Sequence, residues 1–242
     1  MKTRGLVAVL LFLTGLQSAL AQTLKLYLSD KQVVEYSVEK VDSLVFTDGA
    51  GDTAETHEWV DLGLPSGTLW ATCNVGANSP EEYGDYFAWG ETEPKSNYDW
   101  STYKYCNGSP ETMTKYCTNI RYGIVDNKTE LEPSDDAATV NWGSDWQMPS
   151  LGQVEELTCG SYTNISWTTL NGVHGRKITS KSNGNSIFLP AAGMYIGSEY
   201  NPGGTGDYWP STLHPTISTY IYTLGFTPEK TYVTPGTRCY GR

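Results

Sequence analysis

The stretch "MYIGSEYNPGGTGD", residues 194–207, gathers side chains suited to holding a small polar ligand. Tyr195 and Tyr200 can lie flat on the apolar face of a sugar ring, and Asn201 and Asp207 can fix its hydroxyl groups. "SIFLPAAG" ahead of it reads as a well-anchored strand, so the loop has a firm base and a free tip. A shallow site of this kind binds weakly, with a Kd on the order of micromolar to millimolar. The competing reading packs both tyrosines back onto the domain. The overlapping "GTGDYWPST" reads as a packing motif, with Trp209 in the core and glycines that let backbone approach closely.

Other residues that carry chemistry have a plainer explanation beside them. Asp135 and Asp136 offer oxygens to a calcium ion. They also fit a helix start in "SDDAATVNWG", with Ser134 as cap and Gly143 as stop, and this reading is preferred. Cys106 and Cys117 are spaced to close a short loop as a disulfide. Cys73, after "LWAT", reads as a small buried hydrophobe, and Cys159 and Cys239 have no assigned partner. No C-x-x-C spacing exists, and His57, His174 and His214 are scattered, so no metal and no cofactor is expected. "GGTG" at Gly203–Gly206 does not run from a strand into a helix, which argues against a phosphate cradle. Hydrolase elbows and zinc-protease helices are missing as well. Sequons at Asn107, Asn127 and Asn164 matter only in a glycosylating host.

The elements that must position these residues are short. The chain has 242 residues, with 8 Trp and 17 Tyr but 5 Phe, together with 25 Gly. Rings with polar tips and many glycines suit a loop-rich α+β domain. Strand-like runs are "GTLWATCNV", "YFAWG", "SIFLPAAG", "TYIYTLGF" and "KTYVT". Helix signals are Ser79 to Gly84, Ser134 to Gly143, and a capping-box spacing from Ser150 to Gln153 in a segment ending at Gly160. Trp70, Trp89, Trp142, Trp146 and Trp209 stand beside these signals and are expected to be structural.

Ahead of this domain lie three smaller pieces. Lys2 and Arg4, the apolar run Leu6–Leu13 and "ALA" before Gln22 have the form of an export signal covering residues 1–21. Removing those two basic residues takes the net charge from −11 to −13. Residues 22–46 read as a small β-element with a helical turn near Val38 to Asp42, and residues 47–57 as a linker. Such acidity disfavours nucleic acid and anionic membranes as partners, and no later segment is apolar enough to span a bilayer. The expected location is secreted, periplasmic or on the cell surface.

"WVDLGLPSGTLWATCNVGA", "PEEYGDYFAWGET", "DDAATVNWGSDWQMPS", "NGNSIFLPAAG" and "GDYWPST" occur in that order. Together they resemble the Fibrobacter succinogenes major paralogous domain family, common in exported proteins of the Bacteroidetes and Fibrobacteres. The likeness covers residues 58–242. It implies a C-type-lectin-like fold, distantly related to the formylglycine-generating, sulfatase-modifying enzymes. The catalytic cysteine pair of those enzymes has no counterpart, because only Cys239 falls in the late region. The Glu-Pro-Asn and Trp-Asn-Asp signals of calcium-dependent sugar lectins are missing too. "WPST" stands where the family has Trp-Ser-Ser-Thr, and the sequence stops where family members run on into a further strand, which implies an unpaired sheet edge. The expectation is therefore an exported, non-catalytic module that binds a glycan or a surface protein. The alternatives are an enzyme of the sulfatase-modifying type and a structural part of a surface assembly.

Overall fold

The computed structural model describes Thr23–Tyr27, Val33–Ser37 and residues 57–242. The chain divides into two compact units, Met1–Ala54 and Glu55–Arg242. In the first, β1 (Thr23–Tyr27) and β2 (Val33–Ser37) pair antiparallel, with Thr23 opposite Ser37 and Tyr27 opposite Val33. The expected export signal, helical turn near Val38 to Asp42 and linker up to Thr56 lie outside the described residues. His57, expected in that linker, belongs to the second unit and stacks on Trp142 at 4.1 Å between ring centroids.

The second unit is sheet-rich α+β. β3 (Trp59–Asp61) pairs with β4 (Leu69–Ala71). β5 (Thr163–Leu170), β6 (Val173–Ser180) and β7 (Ser186–Pro190) form an antiparallel meander. β8 (Met194–Ile196) and β9 (Glu199–Asn201) make a small hairpin. β10 (Gly206–Tyr208), β11 (Tyr220–Phe226) and β12 (Thr231–Thr237) form a third antiparallel group. Its edge strand β12 carries Pro235, which has no N–H to offer a foreign strand. The helices are α1 (Ala137–Trp142) and α2 (Leu151–Thr158). Among the described residues no helix is long and apolar enough to cross a membrane.

Local sequence accounts for most of these boundaries. Ser150 and Gln153 form the reciprocal capping box at the start of α2. Gly143 ends α1 at φ 98°, a conformation that suits glycine. The cap of α1 is Asp136 and not the expected Ser134: its carboxylate accepts the Thr139 N–H at 2.9 Å. Ser134 falls inside a preceding 3-10 turn begun by Pro133. The helix expected from Ser79 to Gly84 is a single turn, in which Glu82 N–H reaches Ser79 O and the Glu82 carboxylate receives Asn78 N–H. "YFAWG" is buried irregular chain and not a strand. Its backbone pairs instead with the C-terminal residues, Phe87 with Arg242 and Trp89 with Arg238.

Two cores result. An aliphatic one joins Leu62 and Leu64 to Leu157 of α2 and to Ile178 and Ile187 of the meander. The larger one is aromatic and holds Trp89, Tyr98, Tyr103, Tyr105, Tyr116 and Trp209. The ring tips explain why so long an irregular segment stays in place. Tyr98 Oη donates to Tyr86 O at 2.5 Å and Tyr103 Oη to Trp89 O at 2.7 Å. Trp89 Nε1 donates to Pro210 O at 2.8 Å and Trp209 Nε1 to Phe87 O at 2.9 Å. The first three bonds satisfy carbonyls that would otherwise be buried without a partner, and the fourth adds a second donor to Phe87 O, which also accepts the Arg242 N–H. Trp89 and Trp209 are thus core residues, as expected. Gly206 meets the expectation of close approach, since a Cβ there would strike the Phe226 ring.

The expected disulfide does not form. All five cysteines are free thiols. Cys106 pairs through its backbone with Met113 and turns its sulfur to Trp100 O at 3.1 Å. Cys117 is tied by its N–H to Asp126 and turns its sulfur to Asn119 O at 3.2 Å. The loop between them is closed by backbone pairing, which leaves each sulfur aimed at a carbonyl.

Asp135 anchors the irregular segment to the start of α1. It is buried, receives Lys115 Nζ at 2.5 Å and Tyr116 Oη at 2.7 Å, and has Lys104 at 3.4 Å. Burial alone would raise its carboxyl. Lys115, with the Tyr116 hydroxyl, outweighs burial and brings it down to about 2. A folded pKa below the ordinary carboxylate value gives stability that is complete above pH 4 to 5 and lost as pH falls through about 2. The size is on the order of 2 kcal/mol. In urea unfolding, the stability gap between the wild type and Asp135→Asn should shrink by roughly 1 kcal/mol from pH 7 to pH 3. A gap that is constant with pH would show that this pair does not contribute.

Candidate functional site

A cleft of about 470 Å³ opens on the second unit. One wall is β4 and the chain after it, with Trp70 and Asn74. A second is the Tyr83–Ala88 segment. A third is α1 and its following turn, with Trp142, Asp145 and Trp146. The floor is Asp207, Trp209 and Arg242.

The third wall is built by short-range bonds. Thr139 Oγ1 donates to Trp146 O at 2.7 Å, and the Asp136 carboxylate also accepts Met148 N–H at 2.9 Å. These two bonds fold residues 143–148 back on α1. Trp146 then meets Trp142 edge to face, with centroids 5.0 Å apart and planes at 78°. His57 covers one face of Trp142 and fixes its orientation. Both indoles are half-buried. On the other side, Asn74 Nδ2 donates to Tyr83 O at 2.9 Å and to Tyr208 Oη at 3.3 Å. The Tyr208 hydroxyl in turn donates to Pro190 O at 2.8 Å.

The floor carries a buried charge pair. Arg242 Nη1 lies 3.7 Å from Asp207 Oδ1, and both side chains are over nine-tenths buried, at 6% and 7% exposure. The guanidinium lies over the Trp209 ring at 4.3 Å and donates to Thr223 Oγ1. Burial raises the Asp207 carboxyl, and Arg242 opposes this. Burial lowers Arg242, and Asp207 opposes that. Among the described residues that line the cleft, Arg242 Nε and Trp70 Nε1 are buried without a hydrogen-bond partner.

The other charged lining residues differ. Glu91 is buried and paired with Lys95 at 2.8 Å. Asp85 and Asp145 are exposed, and among the described residues neither has a cation within ion-pair distance. The only cationic residue lining the described cleft is Arg242. The arrangement offers ring faces for stacking and two free carboxylates as acceptors.

Of the four residues expected to bind a ligand, Asp207 lines the cleft and the other three do not. Tyr195 and Tyr200 stack on each other, with centroids 4.6 Å apart and planes at 16°. Tyr98 lies against Tyr195 at 5.4 Å, and Tyr86 meets both stacked rings edge-on. Tyr195 is therefore enclosed by rings, while Tyr200 is 37% exposed and shares a hydroxyl bond with Tyr86 at 2.8 Å. This is the packed alternative considered for the loop. Asn201 lies on β9 opposite Met194. Asp207 lies on β10, on the cleft floor. Trp70 packs on the aliphatic core, and Trp142 and Trp146 pack on each other and on His57, as expected of structural residues, but all three also line the cleft. The signal for two of them was present in "NWGSDW", where a glycine turn sets an acid between two indoles.

The remaining candidates are accounted for. Asp135 is taken up by Lys115 and Tyr116, and both oxygens of Asp136 by backbone N–H groups. His214 Nδ1 accepts two backbone N–H groups of its own loop, and His174 is exposed beside Trp167. Cys239 is fully buried, which pushes its thiol up to about 12 and disfavours the thiolate needed for nucleophilic chemistry.

Comparison of the chain with family models, with curated proteins and with solved structures finds no match.

Proposed function

We propose that the chain is an exported, non-catalytic binding module of the Fibrobacter succinogenes major paralogous type, with a C-type-lectin-like domain that takes a carbohydrate in the aromatic cleft. The observation that supports this most directly is the joint presence of Trp70, Trp142 and Trp146 with Asp85 and Asp145 around one open cavity. Sugars present apolar ring faces that stack on indoles and hydroxyl groups that donate to carboxylates. A mostly apolar concavity with several aromatic rings and a few polar groups is the usual form of a small-molecule site. The export signal and the ordered motifs agree with this placement outside the cell.

The test is a glycan array followed by titration of any hit. Trp142→Ala/Trp146→Ala should weaken binding by about tenfold or more, because it removes two stacking faces. Tyr200→Ala, which opens only the tyrosine stack, should bind within about threefold of the wild type. Circular dichroism checks that both variants are folded. If the folded cleft variant binds as well as the parent, the cleft is not the site. If Tyr200→Ala is the one that fails, the site returns to the 194–207 loop.

A further inference from the structure

Resting on the carbohydrate reading, we infer that the cleft selects amino sugars with free ammonium groups, and that it disfavours uronic acids. Charge complementarity carries this. Of the carboxylates along the cleft, Glu91 is neutralised by Lys95 and Asp207 faces Arg242. Asp85 and Asp145 have no such partner among the described residues, and both are exposed on the cleft walls. An entering carboxylate would therefore meet two like charges.

The one cation present does not reverse this balance. Arg242 is held below, its side chain 6% exposed, with Trp209 against one face and Asp207 beside it. It acts as part of the floor and is not placed to grasp an anion at the mouth. Two further features favour a cation. Ammonium groups are attracted to the faces of indoles, and Trp142 and Trp146 stand on either side of Asp145 in the chain. The whole chain also carries a net charge of −11, which raises the local concentration of cationic ligands at an acidic cleft. A neutral sugar can still stack on the same rings, so the preference is one of degree.

The probes are three tetrasaccharides: β-1,4-linked glucosamine, its N-acetylated form, and α-1,4-linked galacturonic acid. Titration at about pH 5.5 keeps both amines and carboxylates charged. Intrinsic fluorescence reports binding through the cleft tryptophans, and calorimetry gives the affinity. The glucosamine tetramer should bind about tenfold tighter than the N-acetylated one, and the galacturonate tetramer weakest of the three. Raising salt to about 1 M should shrink the first ratio, since exposed charges are then screened within about 3 Å. Asp85→Asn/Asp145→Asn should bring that ratio close to one. Equal or tighter binding of the N-acetylated sugar overturns the inference and leaves the carbohydrate reading standing, and so does a preference that survives the double variant. If none of the three sugars is bound, and the glycan array is also empty, both fall together.

Discussion

Arg238→Met should destabilise the second unit by about 4 kcal/mol or more, which is a large share of the 5–15 kcal/mol typical of a domain. Arg238 is fully buried. Among the described residues no carboxylate pairs with it. Its guanidinium instead donates to Tyr103 Oη at 2.7 Å, Tyr116 O at 2.9 Å, Ser218 O at 2.8 Å and Lys115 O at 3.2 Å. Trp89 and Tyr103 lie against the charge at 4.9 and 5.1 Å. Burying a charge costs several kcal/mol, so two opposing effects set the sign. Methionine would remove that cost and keep much of the volume. It would also strand three backbone carbonyls, which no substitution can replace, at about 1–3 kcal/mol each before relaxation. One of them belongs to Tyr116, whose φ of 57° is already unfavourable for a non-glycine residue. The stranded carbonyls should win. Arg238→Lys keeps the charge but has one nitrogen where three donated, so it should fall between the two. Chemical denaturation of the three proteins measures this. A loss under about 1 kcal/mol for Arg238→Met would mean that relief from charge burial balances the lost bonds.

How much of this could be read in the sequence depended on the distance over which each feature is decided. The capping box at Ser150, the stop at Gly143 and the runs that became β7, β11 and β12 are local, and they stand close to where they were expected. The β5–β6 hairpin was missed although it has a local signal. Asn171 and Gly172 take φ of 48° and 89°, the left-handed turn that an Asn-Gly pair between β-branched runs favours. The Ser79 segment carries helix-start residues, but Gly84 leaves room for one turn only, and its backbone is drawn into other contacts. Spacing suits a Cys106–Cys117 disulfide, but the direction of each sulfur follows from backbone pairing of Cys106 with Met113 and of Cys117 with Asp126. The cleft was the least legible feature. Trp70, Asp85, Trp146 and Asp207 come from distant parts of the chain, and no spacing brings them together before the sheets form. The tyrosines of the 194–207 loop stack through their ring faces. That they would spend those faces on each other depends on Tyr86 and Tyr98, roughly a hundred residues earlier.

Trp209→Ala should cost about 3–5 kcal/mol, the range for removing a buried tryptophan. The ring is 5% exposed and belongs to the aromatic core, and its Nε1 holds the Phe87 carbonyl at 2.9 Å. Trp209→Phe separates the two contributions. It keeps most of the buried area and loses the N–H, so it should cost about 1–2 kcal/mol. The larger change has a second consequence, because Trp209 is also the cleft floor. The Arg242 guanidinium lies over it at 4.3 Å, and the charge pair with Asp207 stays dry partly through that cover. Alanine would leave a cavity beneath Arg242 and admit water from the cleft. Burial is what raises the Asp207 carboxyl, so hydration should move it back toward the ordinary value. Two measurements therefore bear on one residue: unfolding free energy by denaturant, and the Asp207 carboxyl titration followed by NMR. A loss below about 1 kcal/mol would place the ring outside the core packing. A large loss with an unchanged Asp207 titration would mean that Phe226 and the β10–β11 strands, and not the indole, keep water from the floor.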